Sequence, residues 1–104
     1  MAERLALLLA LLPAAAWGAD PPPQRQAELT YLLRQDCGSC HGLTLKGGLG
    51  PPLLPASLAD RDPKGLAQVI REGVAGTPMP PWAFEIAPDE AVWLAGRLMR
   101  GDVP

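Results

Sequence analysis

The sequence predicts an all-α domain of three to four short helices, and three observations carry that prediction. Apolar residues recur at helical spacing in three stretches, over 24–36, 63–72 and 88–100. Two of these stretches open with strong start signals, Asp62-Pro63 and Pro88-Asp89-Glu90. Nowhere does the apolar–polar alternation of a half-buried strand appear, and no segment repeats.

Taken in order, Met1 to Ala19 reads as a cleavable secretory leader. It has a single Arg4, the apolar run Leu5 to Leu12, and then the small-residue zone Pro13-Ala14-Ala15-Ala16-Trp17-Gly18-Ala19. The run is too short to span a bilayer, so the alternative of an uncleaved anchor is the weaker reading and no stable membrane anchor is expected after cleavage. With Ala19 as a nominal boundary, residues 20–104 form one domain of about 85 residues, a size at which an apolar core is marginal. That part carries 8 Lys plus Arg against 10 Asp plus Glu, well mixed and without a basic cluster. Nucleic acid is therefore excluded as an expected partner.

Asp20-Pro21-Pro22-Pro23 is an extended lead-in. A helix follows from Gln24 to Asp36, with Leu29, Leu32 and Leu33 at i, i+3 and i+4, while Arg25 and Glu28 fall on the other, solvated side. Residues 42–53 are a glycine-rich loop without the Gly-Lys-Ser/Thr that a phosphate loop requires. Asp62 caps a ten-residue helix that Gly73 stops, its apolar face made by Leu66, Val69 and Ile70. The last helix runs to Arg100, with acids in its first turn and arginines near its end as the macrodipole prefers. Its buried face is Ala91, Leu94, Ala95 and Leu98, with Trp93 a packing residue.

The chemistry lies in Cys37-Gly38-Ser39-Cys40-His41. Two thiols three apart, followed at once by an imidazole, form a c-type haem attachment site. Each thiol adds across one porphyrin vinyl group, and the next residue then lies under the ring. From there His41 offers a neutral nitrogen to the iron. A thioredoxin-like thiol oxidoreductase would need a flanking βαβ pattern, and tetrahedral zinc would need four ligands where this chain has two Cys and one His. A plain disulfide leaves His41 without a role. With Tyr31, Trp82, Phe84 and Trp93 its only aromatics, residues 20–104 have a natural filler in a covalent haem c. A backbone carbonyl in the 42–53 loop is expected to hold the second nitrogen of His41.

Beyond the leader, the sixth coordination position has two methionine candidates, Met79 and Met99. Met99 lies within the last helix and reads as packing. Met79 lies in Gly76-Thr77-Pro78-Met79-Pro80-Pro81-Trp82, where prolines restrict the loop and Trp82 is expected to cover the sulfur side. Iron held by His41 and Met79 has no vacant position, so the expected function is a one-electron carrier and not an enzyme.

These residues resemble the class I monohaem c-type cytochromes over nearly the whole of 20–104. The resemblance implies first and last helices crossing in contact, the Pro51 carbonyl as the partner of His41, and electron transfer through the exposed haem edge. The position four before the first Cys, aromatic in that family, is Leu33 here. The wording Cys-Gly-Ser-Cys-His-Gly-Leu-Thr-Leu-Lys-Gly-Gly-Leu-Gly-Pro-Pro and Gly-Thr-Pro-Met-Pro-Pro-Trp is similar to the small periplasmic cytochromes c-55X. That group is encoded with cytochrome cd1 nitrite reductase in denitrifying bacteria. It implies a periplasmic location and electron donation to the reductase, or alternatively an accessory part in finishing d1 haem. A five-coordinate gas binder and a thiol oxidoreductase using Cys37 and Cys40 are the remaining alternatives.

Overall fold

The computed structural model describes residues 20–103. The leader expected over 1–19 lies outside them. The chain forms α1 (Pro23–Leu32), a π-helical turn (Leu33–Cys37), α2 (Gly38–His41), a 3-10 turn (Pro55–Leu58), α3 (Pro63–Glu72) and α4 (Pro88–Arg100). Among the described residues there is no strand.

α1 starts one residue earlier than the pattern suggests, because Pro23 takes the first helical position, where its missing N–H would have no partner anyway. Asp36 does not end the helical path. A widened turn, closed by the Gly38 N–H donating to the Leu33 carbonyl five residues back, carries the chain straight into α2. Leu29 and Leu33 point into the core, at 0% and 3% exposure.

α3 has the ends the sequence assigns to it. Asp62 Oδ1 accepts from the Lys64 and Gly65 amides at 2.9 and 3.1 Å, and Gly73 leaves the helix at φ +70°. Its buried residues are Leu66 and Ala67, while Val69 and Ile70 stay half-buried. α3 packs along α4, and every residue of the expected α4 face is buried. Trp93 is buried as well, and the Arg97 guanidinium lies 4.9 Å from its ring centroid.

The periodicity did not announce Leu58, on the 3-10 turn, or Ile86, in the link to α4, yet both are buried. Leu29, Ile86 and Leu94 are the largest side chains fully removed from water, one each from α1, the link and α4. Each such burial contributes about 1.5–3 kcal/mol.

Arg25 corrects the expectation of a solvated outer face. Its guanidinium reaches α4, donating from Nε to Glu90 Oε2 at 2.7 Å and from one terminal nitrogen to Glu90 Oε1 at 3.0 Å and the Glu85 carbonyl at 2.7 Å. A helical pattern read for apolar residues cannot show this, since α1 and α4 meet through a bidentate charge pair as well as through leucines. Glu90 Oε1 also accepts the Ala87 N–H at 3.0 Å, so one carboxylate both caps α4 and ties α1 to it. The expected crossing contact of first and last helices is thus present.

The hydrogen bonds from Arg25 hold the Glu90 carboxyl below the usual carboxylate range. A depressed folded-state pKa stabilises the fold above the unfolded value and loses that contribution as pH falls through the folded one. Glu90→Gln is expected to lower the unfolding free energy by about 1–2 kcal/mol at pH 7, and to shrink the loss of stability below about pH 4 relative to the parent. Denaturant titrations of the holoprotein across that range check both effects.

Candidate haem-binding site

The attachment motif occupies the end of the first helical rod. Cys37 is the last residue of the π-helical turn, and Cys40 and His41 lie on α2. All three are half-buried, and both thiols are free. The helix stops because Gly42 turns at φ +94°, and the loop beyond folds back over the helix end. The Gly47 amide donates to the His41 carbonyl and the Gly50 amide to the Cys40 carbonyl, each at 2.8 Å. Carbonyls left unpaired at a helix end are satisfied in this way. Leu45 takes φ +63° within the turn while packing against the core, and its amide bonds the Gly42 carbonyl.

This strapping brings Pro51 under the imidazole. His41 Nδ1 lies 2.7 Å from the Pro51 carbonyl oxygen. A carbonyl can only accept, so Nδ1 carries the hydrogen and Nε2 keeps its lone pair free for a metal.

The second loop hangs from the end of α3. The Val74 amide donates to the Met79 carbonyl at 3.2 Å, and the Met79 amide to Thr77 Oγ1 at 3.2 Å. Thr77 Oγ1 in turn donates to the Val74 carbonyl at 2.8 Å. The Trp82 amide bonds the Ile70 and Arg71 carbonyls at 3.1 Å each. Gly73 is necessary on two counts: its φ is positive, and a Cβ there would fall 2.7 Å from the Met79 carbonyl oxygen and 2.8 Å from Pro80 and Pro81 backbone atoms. Met79 is half-buried and outside the core cluster, whereas Met99 packs against that cluster. Trp82 packs on the core and stacks on exposed Phe84, with ring centroids 5.7 Å apart.

These residues fit a haem. The thiols stand three residues apart, the imidazole is already oriented through Nδ1, and a thioether is free of packing duty. Of the four described aromatics only Trp93 is buried, so the polypeptide lacks large filler of its own. Among the described residues no cluster of three or more His, Cys, Asp or Glu offers a different metal a site. Burial pushes the Cys37 thiol up to about 11, and Asp36 adds to the effect. A thiol oxidoreductase needs the opposite shift.

Sequence reasoning named Gly73 as the stop of α3 but not as the glycine pressed on the Met79 loop, and it did not single out the glycine pressed on His41. The glycine-rich wording of 42–50 marked the first region, but not which glycine touches which group.

Comparison with known proteins supports the same assignment. The family described as Cytochrome C oxidase, cbb3-type, subunit III matches residues 24–96. Cytochrome c55X of Paracoccus denitrificans is 50% identical over 97 residues, spanning 93% of this chain and 94% of the relative. The solved c-type cytochrome NirC superposes with a TM-score of 0.78 at 49% identity, covering 80% of this chain and 98% of its own. Dihydro-heme d1 dehydrogenase NirN, solved in complex with DHE, gives a TM-score of 0.61 at 38% identity, over 66% of this chain and 15% of that one.

Fold and site together define a c-type cytochrome, with haem c as its cofactor and electron carriage as its class of work. Within that class the chain belongs to the cytochrome c55X family. Among the described residues no helix is long and apolar enough to cross a membrane.

Gly73→Ala is expected to lower stability by about 2 kcal/mol, since it meets both backbone strain and a clash. Faster hydrogen exchange at the Val74 and Trp82 amides would show the Met79 loop detaching from α3, and unchanged protection there would not fit this geometry.

Proposed function

We propose that this protein is a periplasmic electron carrier whose haem is joined to Cys37 and Cys40 and held axially by His41 and Met79, and that it donates electrons to cytochrome cd1 nitrite reductase. The leader over 1–19 would direct export and be removed. When bound, the haem iron supplies the gain or loss of one electron. The protein's own residues do the rest. His41 presents Nε2 because Pro51 holds Nδ1, and Met79 presents a neutral sulfur from a loop strapped to α3. A soft sulfur opposite an imidazole favours the reduced metal and raises the potential. Trp82, packed on the core beside that loop, keeps water from the sulfur side.

The observation that carries the reading is the difference between the two described methionines. Met99 is committed to the core, while Met79 sits outside it on a restrained, proline-flanked segment. With His41 and Met79 both engaged on the iron, a substrate would have no place on the metal, which supports a carrier over an enzyme or a gas binder.

A second reading, an accessory role in completing d1 haem, is favoured by the likeness to the dihydro-heme d1 dehydrogenase. It uses the same site and differs only in partner. Deleting the protein separates the two. Nitrite reductase fully loaded with d1 haem but slowly reduced supports the donor role, and reductase lacking d1 haem supports the accessory role.

Periplasmically expressed protein is expected to show a mass with one covalent haem and no leader, sharp α and β bands when reduced, and a weak far-red sulfur-to-iron band when oxidised. High-spin material that binds carbon monoxide readily would overturn the proposed ligation. Met79→Ala is expected to remove the far-red band, lower the potential and admit external ligands. His41→Ala, or loss of either Cys, is expected to yield no stable holoprotein.

A further inference from the structure

The backbone beside His41 does more than supply a carbonyl. A Cβ built on Gly50 would lie 2.8 Å from His41 Cε1, 2.9 Å from Nδ1 and 3.3 Å from Nε2. Three atoms of one ring are therefore met by a single added carbon, all closer than ordinary contact. Gly50 is not among the glycines with positive φ, so its φ does not call for glycine. What requires glycine here is the imidazole.

We infer that Gly50 is a positioning residue for the iron ligand: its bare Cα forms a wall against the His41 ring and fixes the plane in which that ring lies. The inference rests on His41 ligation as proposed above. The hydrogen bond to Pro51 sets where Nδ1 points, but a single bond leaves the ring free to rock about the donor–acceptor line. A wall one residue earlier in the chain removes that freedom. The wall is itself rigid, because the Gly50 amide bonds the Cys40 carbonyl at 2.8 Å and the Gly50 carbonyl accepts from the Gly48 amide at 2.9 Å. The ring, its partner carbonyl and its wall thus all come from one strapped segment, and supporting contacts of this kind orient metal ligands and tune the metal. Reaching an ordinary 3.4 Å contact would require an Ala at position 50 to displace ring or loop by about 0.6 Å.

The plane of an axial imidazole decides how unpaired spin spreads over the porphyrin, so proton NMR of the oxidised holoprotein reads it through the haem methyl shifts. Gly50→Ala is expected to change the spread of those shifts while the far-red sulfur band persists. Gly96→Ala, on α4, is expected to leave the spread at its parental value, since a Cβ there meets nothing nearer than the movable end of Arg100. A parental spread in Gly50→Ala would overturn the inference. Should that variant fail to yield holoprotein, the reduced parent protein decides. A nuclear Overhauser contact between the Gly50 α-protons and the His41 ring protons is expected, and its absence overturns the inference. Failure of the ligation reading is distinguishable, because His41→Ala would then retain a low-spin, six-coordinate spectrum.

Discussion

One short hydrogen bond, from His41 Nδ1 to the Pro51 carbonyl, decides which nitrogen of the chain's single histidine can meet a metal. A neutral imidazole has one donor and one acceptor nitrogen, and engaging the donor frees the other. The bond depends on the loop beyond α2 returning across the helix end. That return depends on amides from the glycine-rich segment meeting carbonyls that the helix leaves open. Helix termination and ligand orientation are therefore one event in this chain.

The opposite side of the site is built on the same plan by different means. There the terminus of α3 supplies the carbonyls, and the Trp82 and Ala83 amides come back to them. Gly73 lets the two backbones touch. Both loops of the proposed site are thus extensions of helix ends and not free spans, which keeps His41 and Met79 in place in a domain this small.

Much of this was legible in the chain itself. Cys37, Cys40 and His41 identify themselves by spacing, and Asp62-Pro63 with Gly73 delimit α3 correctly, because capping and φ preferences act within a few residues. The proline neighbours of Met79 are what single it out over Met99 in the proposed ligation. Arg25 was misplaced because its partners, Glu90 and the Glu85 carbonyl, lie sixty or more residues away and become neighbours only after α1 and α4 cross. Leu58 and Ile86 sit outside any long periodic stretch, so no pattern marked them as core. The role of Gly50 was hidden for a similar reason. Sequence reveals that glycine is present, but only the folded chain reveals what its missing side chain would have struck.

The widened turn over Leu33–Cys37 governs how this chain would tolerate a change in length. A π-helical turn holds one residue more than an α-helical turn needs. It lies between Leu33, anchored in the core, and the thiol pair, so it acts as slack in an otherwise stiff rod. Losing one residue there would tighten the rod into plain α-helix and leave the thiols facing nearly as before, whereas losing one from regular α-helix beside it would turn them about the axis by roughly a hundred degrees relative to the leucines. The wide turn can thus give up a residue without swinging the attachment site away from the core anchor, which the α-helix on either side of it cannot do.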